Sequence, residues 1–387
     1  MSYDLRQKVF RILFFLLFAI LTISSIQRTV KKDLDFKVFH QAGVIFFESE
    51  PDLYNPSRDG IFTYKYSPFF AILAGVFAFF RHETAKVIWA IMSSLAFIGS
   101  WYYAEKILKH LQVKITYSAR LLTLLMVLQP VTNNAIQGNI NVILLFLCLL
   151  GVWLSIENRN IEAGFWAALA FSIKLTPAII LLFFLLKKKY RSFLYGLLFA
   201  VIFMIIIPAL VYSPESFLKL NLQWFEVLRD TRHYPMMKYT NQAPLAVFIH
   251  WFGNHRVVHL VAMLPAVTIM VMLFYFYARK SLTSLVAVVS VFVLYLVASP
   301  VAWLEYYVFL LVPLLVLNSI FTTRPVSNYT RVLYYIRVII TLVLVRAIIG
   351  REAADWVAYR GQHLVGLFLM LMIFALERKS LVSSANT

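Results

Sequence analysis

Residues 193–211 read FLYGLLFAVIFMIIIPALV, without one charged side chain. About 20 apolar residues in a helix cross the roughly 30 Å hydrocarbon core of a bilayer, so this stretch reads as a membrane span. Residues 10–26, FRILFFLLFAILTISSI, read the same way. The rest of the chain agrees with them. Of its 387 residues, 61% are hydrophobic and 14% charged, against about 45–50% and 25% in a soluble domain. That balance excludes a soluble enzyme, a nucleic-acid-binding domain, a disordered chain and a disulfide scaffold. Cys148 is the single cysteine, so neither a disulfide nor a cysteine-based metal site forms within the chain. It reads as a small residue inside a span.

The apolar blocks predict twelve spans, at 10–27, 66–80, 84–104, 118–135, 139–156, 163–186, 193–212, 257–277, 282–298, 305–320, 329–349 and 361–376, with both termini in the cytoplasm. The fold class is all-α, a polytopic membrane protein forming one integral membrane domain over 1–387. The span 66–80 is short, and 118–141 is interrupted by Pro130 and Gly138, so one of these is expected to be broken or re-entrant. Arg6, Lys8 and Arg11 precede the first block, but no small-residue cleavage site follows, which predicts an uncleaved first helix.

Two outer segments are long, 28–65 and 213–243. The first places Phe36, Phe39, Gly43, Phe46 and Phe47 at helical spacing, which predicts an amphipathic helix in the membrane interface, then a turn at 53–57. The second carries Trp224, Arg229, Asp230, Arg232 and His233. In this topology the basic loop 187–191 is cytoplasmic, as the positive-inside rule requires, while 105–120, with Lys106, Lys109 and Lys114, falls outside against the rule. Of 18 acidic residues, only Asp4, Glu83 and Glu377 fall on the cytoplasmic side, which points to chemistry on the outer face of an inner (plasma) membrane. The net charge of +18 suits anionic headgroups or a phosphate-bearing substrate. With only 12 glycines, about half the average usage, the composition argues against a transporter, since close-packed transporter bundles tend to use small residues at helix contacts.

Several side chains carry candidate chemistry. Asp33 and Asp35 stand where the interfacial helix begins. A carboxylate there can take a proton from an alcohol or cap the helix; the capping reading is preferred for Asp33, and both stay open for Asp35. Lys174 lies mid-span, and Arg337 and Arg346 lie in 329–349. Cations at such depth cost roughly 2.5–3.5 kcal/mol on insertion scales, which points to a functional pocket, with a phosphate as the natural partner. Snorkelling to the interface is the alternative, and it suits Arg346 best. Asn133, Asn134, Gln137, Asn139 and Asn141 surround Gly138, either as a break that satisfies its own backbone or as a ligand site. Asn241 and Gln242 are read as sugar-binding or helix-capping amides. Trp303, Tyr306 and Tyr307 fit an interfacial aromatic belt, in which Glu305 stands out. His255 and His259 share a helix face but lack further ligands for zinc. No metal site and no cofactor are expected.

The order of these features resembles glycosyltransferase family 87, the polyprenyl-phosphate-mannose-dependent mannosyltransferase-like branch of the C-type glycosyltransferase superfamily. The matching pieces are Asp35-Phe36-Lys37-Val38-Phe39 through Leu53-Tyr54, Tyr64-Lys65-Tyr66-Ser67-Pro68-Phe69, Gly138-Asn139-Ile140-Asn141, Ile173-Lys174-Leu175-Thr176-Pro177, Asn241-Gln242, and Ser299-Pro300 with Trp303. The resemblance implies a C-type fold and an inverting transfer of a hexose, mannose at family level, from a polyprenyl-phosphate donor to a glycan or glycolipid acceptor. Its outer-loop base maps to Asp35. Asp33, Tyr64, Tyr66, Asn139, Asn141, Lys174, Asn241, Gln242, Trp303, Glu305 and Arg346 are the expected substrate contacts. The chain departs from the pattern at Asn139, where the family often has Gln, and at Glu305, where it often has His; a carboxylate repels phosphate unless protonated or paired. A glycolipid flippase and a cell-envelope assembly protein are the rival readings. Either would share the spans without needing an outer-loop aspartate.

Overall fold

The computed structural model describes residues 3–48, 51–55, 64–230 and 241–377. Arg232 and His233 of the second long loop, and Ser57 of the expected turn, lie outside the described residues. Among the described residues the secondary structure is helical, with an isolated bridge between Asn241 and Trp303. Five helices are long and apolar enough to cross a membrane, or seven if each of two bent pairs is one span. This is a polytopic membrane protein. The chain forms two compact units, one of residues 22–103 and 132–232, the other of 1–21, 104–131 and 233–387.

The first long helix, α1 (Tyr3–Lys31), leads into α2 (Leu34–Ile45), α3 (Pro68–Ala78) and α4 (His82–His110). The expected interfacial helix is α2. Phe36, Phe39, Ala42, Gly43 and Ile45 are buried, while Leu34 and Val44 on its other side are exposed. It packs against α3 so closely that a Cβ at Gly43 would overlap the Ala74 carbonyl.

The expected crossing at 66–80 is not one. Its helix has 11 residues, about 17 Å at 1.5 Å per residue, which is half a bilayer core. At its end His82 reaches back to Asp33 at the start of α2. The chain therefore enters and leaves α3 at the Asp35 end. From there the chain continues into α4, a single helix of 29 residues.

Next come α5 (Tyr117–Gln137), α6 (Asn141–Ile156) and α7 (Asn160–Ile173). The expected break at Gly138 is present, and α5 and α6 meet at 119°. The expected single span 163–186 is instead a reversal. Helix α7 ends at Lys174, which is extended (φ −148°, ψ 136°); a 3-10 turn, Thr176–Ala178, then opens α8 (Ile179–Leu186) in the opposite direction. Lys189 Nζ bonds Asn158 Oδ1 at 2.9 Å, which joins the far ends of α6 and α8. Pro177, in the first turn, needs no N–H partner there.

Helix α9 (Tyr190–Val211) contains a widened π turn at Ile202–Ile206. That turn lies just before Pro208, whose missing N–H an α-helical ladder would leave unmatched. Between α6 and α9 runs α7, and Phe69 stacks on Phe203 at 5.1 Å within the apolar contact. Helix α10 (Pro214–Asp230) closes this unit and buries Trp224, whose Nε1 donates to the Lys65 carbonyl at 3.2 Å.

In the other unit, α11 (Pro244–Phe252) precedes α12 (Arg256–Ala278), α13 (Ser284–Val297), α14 (Leu304–Thr323), α15 (Asn328–Leu342), α16 (Arg351–Tyr359) and α17 (Gln362–Leu376). Polar ties hold its interior. Asn318 donates to Thr123 Oγ1 at 2.9 Å and accepts from Tyr334 at 2.8 Å. Arg337 does not snorkel. It is 2% exposed, and its Nε donates to the Gly366 carbonyl at 3.0 Å.

Candidate active site

Asp33 takes the N-cap position of α2, and its carbonyl accepts from Lys37 N–H at 2.8 Å. Its side chain makes no capping bond and instead pairs with His82 Nε2. The capping expectation is corrected here. An imidazole that can carry charge offers a carboxylate a stronger bond than a backbone amide does. The His82 ring also stacks on Phe36 at 5.8 Å and meets the His40 ring at 5.0 Å.

Asp35 turns to a different partner. Its Oδ2 accepts from Asn139 Nδ2 at 2.5 Å. Asn139 Oδ1 accepts the Asn141 backbone N–H at 3.0 Å. Asn141 Oδ1 accepts from Lys174 Nζ at 3.1 Å, and that ammonium lies 5.9 Å from the centre of the Tyr66 ring, within cation–π reach. A continuous polar path thus joins a carboxylate on α2, the α5–α6 break and the α7–α8 reversal.

Each step of the path depends on a local device. Gly138 has φ +64°, and a Cβ there would press on Phe36 Cβ. Its carbonyl accepts from Trp89 Nε1 at 2.9 Å. This turns Asn139 toward α2. Of the two readings of the asparagine cluster, Asn139 fulfils the first by bonding its own backbone, and it also holds Asp35. Lys174 reaches the site because it caps a helix at a reversal, so no buried mid-span lysine has to be accommodated. Beside it, Ser67 Oγ donates to the Ser172 carbonyl and accepts from Phe70 N–H at 3.2 Å, which fastens the start of α3 to the end of α7.

Burial pushes the Asp35 carboxyl above the usual aspartate range. The Asn139 hydrogen bond and the positive charges of Lys174 and Lys65 oppose that shift without reversing it. The fully buried Asn141 Nδ2 and Ser172 Oγ have no hydrogen-bond partner among the described residues. An unmatched buried polar group costs about 1–3 kcal/mol, so these atoms mark where a ligand atom or a water belongs.

The tyrosines serve the site differently. Tyr66 lies under Lys174. Tyr64, 1% exposed, donates to the Ser67 carbonyl at 2.9 Å and packs between Tyr54 and Tyr66. Tyr54 donates to the Tyr66 carbonyl at 2.8 Å. These contacts brace the 64–67 turn that presents Lys65.

Asn241, Gln242 and Trp303 come together in the other unit. Asn241 Oδ1 accepts from Ala302 N–H at 2.9 Å and Ala243 N–H at 3.1 Å, and Gln242 N–H donates to the Ala302 carbonyl at 2.8 Å. Gln242 Nε2 donates to the Ala358 carbonyl at 2.7 Å, and its Oε1 accepts from His363 N–H at 3.1 Å. These contacts tie three loops to one another. Glu305 is 5% exposed in the first turn of α14, where the helix dipole favours an acid. Arg346 is not a deep cation. Its side chain is 55% exposed and forks onto Asp355, because the span expected at 329–349 ends at Leu342. Among the described residues no cluster of three or more His, Cys, Asp or Glu suits a metal.

His82 and Lys65 were missed as site neighbours. Placing His82 across the membrane from Asp33 hid the first, and their contact corrects that placement. Chemically, the site offers a carboxylate of raised basicity and two ammonium groups whose charge reaches it. Such a site can take a proton from a hydroxyl while steadying an anion.

Residues 62–300 match the family model described as Glycosyltransferase family 87. The chain is also 26% identical over 208 residues to a polyprenol-phosphate-mannose-dependent alpha-(1-2)-phosphatidylinositol mannoside mannosyltransferase of Mycolicibacterium smegmatis, a match covering 51% of this chain and 45% of that relative. No solved structure matches it.

Proposed function

Because the chain belongs to glycosyltransferase family 87, we propose that it moves a mannosyl residue from a polyprenyl-phosphate donor to a glycolipid or glycan hydroxyl on the extracytoplasmic face, with inversion. Asp35 takes the proton of the acceptor hydroxyl as that oxygen bonds the anomeric carbon. The bond from that carbon to the donor phosphate oxygen breaks, and its electron pair leaves with the lipid phosphate. Attack opposite the departing group inverts the centre. Lys174 and Lys65 offset the charge on the leaving phosphate. The unmatched Asn141 Nδ2 supplies a donor for a substrate oxygen.

The observation that carries this reading is the path from Asp35 through Asn139 and Asn141 to Lys174, which sets a base and an anion-stabilising charge at one site. The printed activity of the relative supports the donor class and a glycolipid acceptor. Charge supports the orientation. Helix polarity is compatible with crossings by α1, α4 to α7, α9, α12 to α15 and α17, with the short α8 returning the chain from Lys174 to the loop at 187–191 and α2, α3 and α10 lying along the outer face. The basic loops 105–120, 187–191, 279–283 and 324–331 then all fall inside.

The test is transfer of labelled mannose from polyprenyl-phosphate mannose by purified full-length protein in vesicles. The reading expects label in a lipid-extractable product whose new linkage has the opposite anomeric configuration to the donor. Label recovered only as intact donor moved across the bilayer would replace it with the flippase reading.

A further inference from the structure

The Asp35 site leaves one feature of the other unit unexplained. A cavity of about 190 Å³ opens where the far ends of α4 and α14 meet the start of α13. Gln112, Lys114, Leu285, Ser319, Thr323 and Arg324 are among its walls, and no carboxylate lines it among the described residues. Lys114 and Arg324 are exposed at its mouth, whereas Ser319 is 2% exposed, and its Oγ has no hydrogen-bond partner among the described residues.

A cation just past a helix C-terminus is ordinary, since it complements the dipole. That accounts for Arg324 after α14. It does not account for a cavity whose wall includes a serine with a buried, partnerless hydroxyl and that is rimmed by a second cation from a different loop. A phosphate oxygen satisfies both features. It accepts from a hydroxyl, and its charge suits two cations. Thr323 Oγ1 already donates to the Ser319 carbonyl, so it holds that turn and leaves the Ser319 hydroxyl for a ligand.

We propose that this cavity binds a phosphate group, with Lys114 and Arg324 on its charge and Ser319 Oγ on one oxygen. The pocket is on the end that the positive-inside rule assigns to the cytoplasm. Anionic phospholipid headgroups gather there, and basic pockets between membrane helices take them up. The site is separate from Asp35 and does not depend on the reaction assigned to it.

Native mass spectrometry of the full chain in a neutral detergent tests the proposal. The probes are phosphatidylglycerol, phosphatidylcholine and inorganic phosphate. Retention of phosphatidylglycerol over phosphatidylcholine supports a lipid as the source; equal retention of inorganic phosphate supports a free one. In either case the double variant K114Q/R324Q binds roughly 25-fold more weakly, at about fivefold per cation. Ser319→Ala weakens binding with the net charge unchanged. Lys109→Gln, which removes a charge at the same end but not from the cavity wall, leaves binding intact. No preference for any phosphate probe overturns the proposal, as does equal loss in Lys109→Gln and K114Q/R324Q, which would mean a diffuse surface charge. A melting temperature and a monodisperse elution profile matching the wild type show that each variant has folded.

Discussion

Asp35 and Asp33 are two positions apart on one turn, yet their side chains are committed to different partners. Asp33 is held by a histidine and Asp35 by an asparagine. This difference has consequences in pH. Because burial raises the Asp35 carboxyl, activity should fall as pH drops through a value above the ordinary aspartate range of about 3.9. Asn139→Ala removes a donor that favours the charged carboxylate, so the acid limb of kcat/KM should move to higher pH. Lys174→Met removes a favourable positive charge and should move the limb the same way, while also raising the KM for donor. Unchanged pH profiles in both variants would mean that neither side chain acts on Asp35. The residues of this path were legible one at a time, as an outer-loop acid, a polar break and a deep lysine. Their connection was not, since it depends on how Gly138 and Lys174 turn the chain, and neither turn follows from hydropathy.

Helix α3 shows where reading the chain element by element fails. Its residues are apolar enough for a span, and hydropathy cannot separate a short crossing from a helix that returns to its starting face. The Asp33–His82 contact separates them. In 163–186 the apolar run hides a reversal in the same way, because Lys174-Leu175 interrupts it too briefly to register against long apolar flanks. In the topology proposed above, both changes together put the loops at 105–120 and 157–162 on the side opposite to the one first expected. Cysteines make this testable. In intact cells an impermeant thiol reagent should label Glu48→Cys and spare Lys109→Cys, with Cys148, which is fully buried, silent in both. Labelling of Lys109→Cys would restore the crossing at 66–80. Packing gives a second check. Gly43→Leu would drive a side chain into the Ala74 backbone and should destabilise the protein by about 1–3 kcal/mol, seen as a lower melting temperature. A variant as stable as the wild type would show that α2 does not rest on α3.

At the scale of the whole molecule, composition alone excluded a soluble enzyme, and the order of weak motifs pointed to the family that residues 62–300 match. The interior bonding of Arg337, the loop ties of Gln242 and the Asp355 partner of Arg346 were not legible, because a sequence gives the cost of a buried charge and not the carbonyl or carboxylate that meets it. The central claim is that one outer-face carboxylate does the proton chemistry for the chain. The direct measurement is turnover of labelled polyprenyl-phosphate mannose by wild type, Asp35→Asn and Asp33→Asn in matched vesicles. Asp35→Asn keeps the side-chain size but cannot take the proton, so kcat should fall by about 10²–10⁴. Asp33→Asn weakens a pair with His82 that braces α2, a loss of about 1 kcal/mol or less, and should keep most of the turnover. Near-normal turnover in Asp35→Asn would contradict the account.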